Sequence, residues 1–383
     1  MTESWLLALP TDPPYRVNQV TSDPLLLALL FTAQLLLATG LQRGWRPRFC
    51  VVMLLVAVGL FFTLASWGTS DVTKLSVKLV QNPQELGWAE PFWLPVGLLL
   101  PMLPYRFALV HGLVVAGYAA LGMGWARWHG LPRWGGWWAL LVVTNPFLYL
   151  TLRNGVTRQA LCTLLLVPLW AWAMGLVRLP LPVRWGGLLL ALTSHGTAPM
   201  QAVLALLPRL WLTGLTLPRP RRWLAAVLPL AGLLALVLPW AWTKLRLYLQ
   251  VETYFPTYAL RPLPLAEEAL VVALLALVWW RHGVKPPRGL AAHGSLLVVL
   301  QLSVHFQWAP QITHRFVDPV ALACLLLLLA WTAREGRPRW LLPLLLLVLG
   351  GFGFELLQSD GLGCGHNDGF FCLPDRWPWL VVY

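Results

Sequence analysis

Arginine and histidine set within or at the ends of apolar segments are costly in a bilayer, and they ordinarily face a cavity where a substrate binds or reacts. Residues 153–201 concentrate them. Arg153, Arg158 and Gln159 open one apolar run, and Ser194-His195-Gly196-Thr197-Ala198-Pro199 interrupts another; His314 and Arg315 precede a third. An arginine can hold phosphate oxygens bidentately, and a helix N-terminus adds roughly half a positive charge and several unpaired amides. Helix starts at Asn154-Gly155, at residues 194–197 and at residues 313–315 therefore suit a polyanionic head group such as a lipid pyrophosphate. Imidazole changes charge near neutrality, so His195 could deprotonate a hydroxyl. Asp71 and Glu90 are the other candidate bases.

Each of these has a plainer reading beside it. Arg153 and Arg158 can anchor helix ends at the interface. His195 can be a hydrogen-bonded core residue, and Asp71 and Glu90 solvated loop carboxylates. What separates His195 from an ordinary core histidine is its place at a helix break between Ser194 and Thr197. His111 and His305 lie inside apolar runs and read as packing residues.

Of the 383 residues, 58% are hydrophobic and 11% charged, arranged as one Leu/Val/Ala/Trp-rich run after another, which defines an all-α polytopic membrane protein. The net charge of +13 sits in short clusters between those runs, the pattern that orients membrane helices, so nucleic acid is not an expected partner. The sequence has no metal-ligand spacing, Walker A motif or dinucleotide fingerprint, so no metal or cofactor is expected and a lipid-activated donor is preferred to a nucleotide. Cys50, Cys162 and Cys324 fall inside apolar runs as small packing residues, whereas Cys364 and Cys372 could pair in an oxidising compartment.

A crossing helix needs about 20 apolar residues, and basic residues collect on the cytoplasmic side. Crossings are expected at 24–41 (a membrane helix rather than a cleaved signal peptide), 49–67, 107–125, 134–152, 155–175, 223–243, 266–280, 289–307, 316–332 and 340–354. Residues 68–106 form an exterior loop that carries an interfacial helix at 92–104, and 355–383 an exterior tail, all within one integral membrane domain of residues 1–383. The apolar stretch between Arg184 and Arg209 decides the topology. Read as one crossing, it would turn every later basic loop outward. Read as two half-helices of about 15 Å meeting at His195, it keeps them inside, with His195 on the floor of an outer-face cavity. The total is then about twelve helices with both termini exterior, and every acidic residue except Glu335 lies on the exterior side.

The order Gly68-Thr69-Ser70-Asp71, Glu90-Pro91-Phe92-Trp93, Asn154-Gly155-Val156-Thr157-Arg158-Gln159-Ala160-Leu161 and Leu192-Thr193-Ser194-His195-Gly196-Thr197-Ala198-Pro199 resembles the EpsG family of Wzy-like bacterial exopolysaccharide polymerases. The resemblance spans residues 24–207 and fades beyond them, apart from Arg315 before a late apolar helix; the chain departs from the family pattern at Val72 and Ser194. It implies a C-type membrane glycosyltransferase at the outer leaflet of the bacterial inner membrane. Such an enzyme joins polyprenyl-pyrophosphate-linked oligosaccharide repeats, with a chain-length regulator as a possible partner. It implies Arg158 and Arg315, assisted by Gln159, Arg153 and His314, at the pyrophosphate, with His195, Asp71 or Glu90 as base. Competing readings are another lipid-linked sugar transferase, a glycan O-acyltransferase, and a non-enzymatic transporter of the same lipid-linked glycan.

Overall fold

The computed structural model describes residues 24–66, 90–95, 106–145, 156–214, 287–305 and 310–357, with isolated positions 148, 152, 269, 270, 273, 280 and 283. Ten α-helices lie among them: α1 (Pro24–Arg43), α2 (Pro47–Ser66), α3 (Arg106–Trp128), α4 (Gly135–Val143), α5 (Thr157–Ala173), α6 (Leu181–Ser194), α7 (Ala198–Gly214), α8 (Arg288–His305), α9 (Pro310–Arg334) and α10 (Leu342–Leu357). Four of them, α1, α2, α3 and α9, are long and apolar enough to cross a bilayer, and α8 and α10 are shorter apolar helices. The chain is a multi-span, all-helical membrane protein.

One turn device recurs at the basic end of the bundle. Gly336 takes φ +65° after α9; its amide bonds the Ala333 carbonyl and the Arg337 amide that of Thr332, at 2.9 Å each. This paired closure needs a left-handed residue that only glycine adopts freely. Pro338 then starts the next turn, where its missing N–H costs nothing. Gly44 closes α1 with the same two bonds, and α3 and α5 end likewise. Glycine followed by basic residues and proline is therefore a hairpin signal written into the sequence.

The core runs through α1–α4, α9 and α10, where Trp138, Phe61, Phe62, Leu140 and Leu326 are fully buried. Polar side chains pin the helices by satisfying their partners' carbonyls, since an unpaired polar group costs several kcal/mol in a medium without water. Trp125 Nε1 donates to the Leu326 carbonyl at 2.9 Å, fixing α3 to α9. Tyr118 Oη donates to the Ala160 carbonyl at 2.7 Å, fixing α3 to α5. His111 is a structural residue: its Nε2 donates to the Leu152 carbonyl and its Nδ1 accepts from Thr157 Oγ1, which sets the first turn of α5.

The structure departs from expectation in three places. The crossing expected over 134–152 is interrupted: α4 stops at Val143, where Thr144 caps it and Asn145, before Pro146, leaves the helix, while the described positions 148 and 152 are again helical. The residue before proline disfavours the helical region, so the Asn-Pro pair is the cause. The helix expected at 316–332 begins earlier, at Pro310. The break at His195 is real, but its two arms, of 14 and 17 residues, are longer than half-helices and span roughly 21 and 25 Å. Expected crossings at 223–243 and 266–280, which the twelve-helix count includes, lie wholly or largely outside the described residues. So do most of the loop at 68–106 and most of the tail at 355–383, with Cys364 and Cys372.

Candidate functional site

The arms of the broken helix form a hairpin that runs the length of α5. Arg184, in the first turn of α6, stacks on Trp172 at 4.4 Å, and Arg209, near the end of α7, stacks on the same ring at 5.2 Å. Arg209 also donates to the Ala173 carbonyl at 2.8 Å. Both far ends of the hairpin therefore lie at the C-terminus of α5, and its tip lies at the N-terminus of α5, beside Arg158. This puts His195 level with the first turn of α5 rather than at half the depth of the membrane.

The segment Glu90-Pro91-Phe92-Trp93 docks on that tip. A helix leaves its last carbonyls unpaired, and here the segment supplies the missing donors. The Phe92 amide bonds the Thr193 carbonyl at 3.1 Å, and Trp93 Nε1 bonds that of Ser194 at 2.7 Å. Trp93 is completely buried, so it is an anchor of the site rather than a membrane-interface aromatic. His195, in extended backbone (φ −158°, ψ 137°), interrupts the helix, and α7 restarts at Ala198.

Docking brings Glu90, Arg158 and His195 together. Arg158 Nη1 donates to Glu90 Oε2 at 2.9 Å, and His195 Nδ1 donates to Oε1 at 2.9 Å. The Gly196 amide reaches the same Oε1 at 3.3 Å. Burial by itself pushes the Glu90 carboxyl up, but the His195 hydrogen bond, the charges of Arg158 and His195 and the Arg158 hydrogen bond together outweigh it and hold the group down at about 2. Glu90 is thus a fixed anion across the physiological range and a weak base. With Nδ1 donating to it, the neutral His195 ring carries its lone pair on Nε2.

A second layer of buried polar groups lies below. Gln159 Nε2 donates to Asp318 Oδ2 at 2.6 Å, joining α5 to α9. Gln201, fully buried on α7, accepts from Thr163 Oγ1 at 3.0 Å and donates to Thr197 Oγ1 at 3.2 Å. Beneath these, Thr163, Gln201 and His293 line a narrow cavity with room for about two waters. His293 is held neutral in hydrogen-bonding terms, accepting from Trp170 Nε1 at 2.9 Å and donating to the Gly289 carbonyl at 2.8 Å.

Of the expected site residues, Glu90, Arg158, Gln159 and His195 thus meet at one end of the bundle. His314 and Arg315 lie in α9, one turn before Asp318, at that same end; their side chains, and Asp71 and Arg153 altogether, lie outside the described residues. The Gln159–Asp318 and Gln201–Thr163 bonds join the N-terminal halves of α5, α7 and α9. Sequence reasoning missed Asp318, Gln201 and Trp93. Asp318 carries a usable signal, a carboxylate embedded in an apolar run and followed by Pro319, although the basic-loop pattern alone places it with the exterior acids. The other two carried none beyond their neighbourhood. Among the described residues no group of three or more histidine, cysteine or acidic side chains is placed to hold a metal. Compared with known proteins, the chain matches no family model, no curated protein and no solved structure.

Proposed function

We propose that the protein is a membrane glycosyltransferase that joins polyprenyl-pyrophosphate-linked oligosaccharide repeats into an exopolysaccharide at the outer leaflet of a bacterial inner membrane. The observation that carries this reading is the Glu90–His195–Arg158 cluster, in which three separated motifs of the sequence converge on one carboxylate. In the reaction, His195 Nε2 takes the proton of the acceptor sugar hydroxyl as that oxygen attacks the anomeric carbon of the lipid-linked donor. The bond from that carbon to the pyrophosphate oxygen breaks, and polyprenyl pyrophosphate leaves with the electron pair. Glu90 fixes the ring's tautomer and direction and lies against it where positive charge develops, the role an acid plays behind a catalytic histidine. Arg158, Arg315 and the start of α5 stabilise the charge gathering on the pyrophosphate.

Asp71, Arg153 and His314 complete the proposed site, Asp71 as the alternative base and the others at the pyrophosphate, while Gln159, bonded to Asp318, braces the first turn of α5 from below. The direct test is single-turnover polymerisation by the protein in nanodiscs, with lipid-linked oligosaccharide extracted from the producing membranes. Wild type should release polyprenyl pyrophosphate and yield doubled repeats. Release of lipid without a new glycosidic bond, or translocation of the intact glycolipid without any release, would reject the transferase reading in favour of hydrolysis or transport.

A further inference from the structure

The opposite end of the molecule carries a second site built from different residues. The turns after α3 and after α9 face each other across a cleft of about 640 Å³, lined by Gln42, Arg133, Trp134, Arg337, Arg339 and Trp340 among others. That volume falls in the range of small-molecule pockets, about 300–1,000 Å³. Three arginines from two separate turns line it, and among the described residues no carboxylate does. Among the described residues the one acid at this end is Glu335, outside the cleft. Arginines gathered in one concavity can hold several acceptor oxygens at once, so the arrangement suits a ligand that carries them.

The walls are as informative as the charge. Trp134 and Trp340 are half-buried tryptophans, the residue type that sits at membrane–water boundaries. Arg337 lies over the Trp340 ring at 5.0 Å, which orders its guanidinium at the rim. Gln42 is held by Trp137 Nε1 at 2.8 Å, and the Gly336 closure fixes the backbone that carries Arg337 and Arg339. The cleft is thus preorganised on three helix turns, not a loose belt of basic side chains.

We infer that this cleft between the α3–α4 and α9–α10 turns binds a phosphate-bearing anion, supplied either by the head group of an acidic phospholipid or by soluble phosphate. The test uses the full chain, delipidated and placed in phosphatidylcholine nanodiscs, with thermal unfolding as the readout. Increasing phosphatidylglycerol at constant ionic strength is expected to raise the midpoint by about 2–4 °C, because a ligand that binds only the folded state stabilises it. An equal rise from millimolar inorganic phosphate assigns the soluble source, and a rise with the lipid alone assigns the head group. Arg133→Gln/Arg337→Gln/Arg339→Gln should lose more than half of the rise while unfolding at the wild-type temperature in phosphatidylcholine. A control with the same charge loss outside the cleft, Arg46→Gln/Arg48→Gln/Arg288→Gln, should keep it. Should the cleft triple not fold, Arg339→Gln alone is expected to lose a measurable part. No rise with either anion, or an equal loss in cleft and control variants, overturns the inference.

Discussion

A carboxylate that receives hydrogen bonds from an arginine, a histidine and a backbone amide is a structural anion before it is anything else, and Glu90 can be tested as one. Its carboxyl is held at about 2, below the ordinary 4.5. A depressed acid stabilises the folded state above the unfolded pKa, and that contribution fades as pH falls from about 4.5 to about 2. Loss of on the order of 3 kcal/mol across that window is expected for wild type. Glu90→Gln should flatten that part of the profile, which thermal unfolding in detergent from pH 6 downward would read (roughly one point per half unit). A wild type as flat as the variant would mean that the carboxylate is not paired in this way. For turnover, His195→Ala is expected to cost about 10²–10⁴-fold, the range of a lost general base. Glu90→Gln should cost less, because Nε2 remains while its orientation and charge support are weakened. A loss in Glu90→Gln greater than in His195→Ala, at equal folded protein, would exchange their roles.

At the scale of elements, the site depends on how closely α6 lies on α5. A Cβ on Gly187 would sit 2.6 Å from the Leu165 carbonyl oxygen, a backbone atom that cannot swing away. Gly187→Ala should push the hairpin from α5, costing about 1–3 kcal/mol as overpacking does and separating His195 from Arg158. The check is a pair of measurements, unfolding temperature and turnover at a temperature where the variant is still folded; a variant that folds less well yet turns over normally would show that the hairpin can shift without disturbing the cluster. Much of this element was legible beforehand. The Ser-His-Gly-Thr-Ala-Pro break and the basic residues on both sides of it pointed to two helices turning back at His195, which the structure has. The length of the arms was not legible, because both helices run past the basic residues that bound the apolar stretch: α6 starts at Leu181, before Arg184, and α7 ends at Gly214, after Arg209. Nor could sequence reasoning place Glu90 beside His195. Their contact spans 105 residues and is made by a docked loop whose buried Trp93 looks, in sequence, like any interfacial tryptophan.

For the whole molecule, charge separates the two ends. The described basic turns gather at one end, and Glu90 and Arg158 stand at the other. On the positive-inside pattern we propose that the basic end faces the cytoplasm. Under that assignment, a single cysteine placed at Arg48 or Arg339 should resist a membrane-impermeant maleimide in intact cells and react after permeabilisation. Labelling of both in intact cells would invert the protein and move the cluster to the cytoplasmic side, where outer-leaflet polymerisation is impossible. Fold class and most of the described helix positions followed from apolar runs and basic punctuation. Asp318 did not, because its role as partner of Gln159 exists only once α5 and α9 are packed together.

The central claim is that the meeting of Glu90, Arg158 and His195 is the site of chain growth. Its most direct test is the length of cell-surface polysaccharide in a strain lacking the protein, complemented with wild type, Arg158→Ala or His195→Ala at matched membrane expression. Wild type is expected to restore long chains, while both variants leave single repeats on the lipid carrier. Full-length polymer from both variants would contradict the account and leave the cluster a purely structural knot.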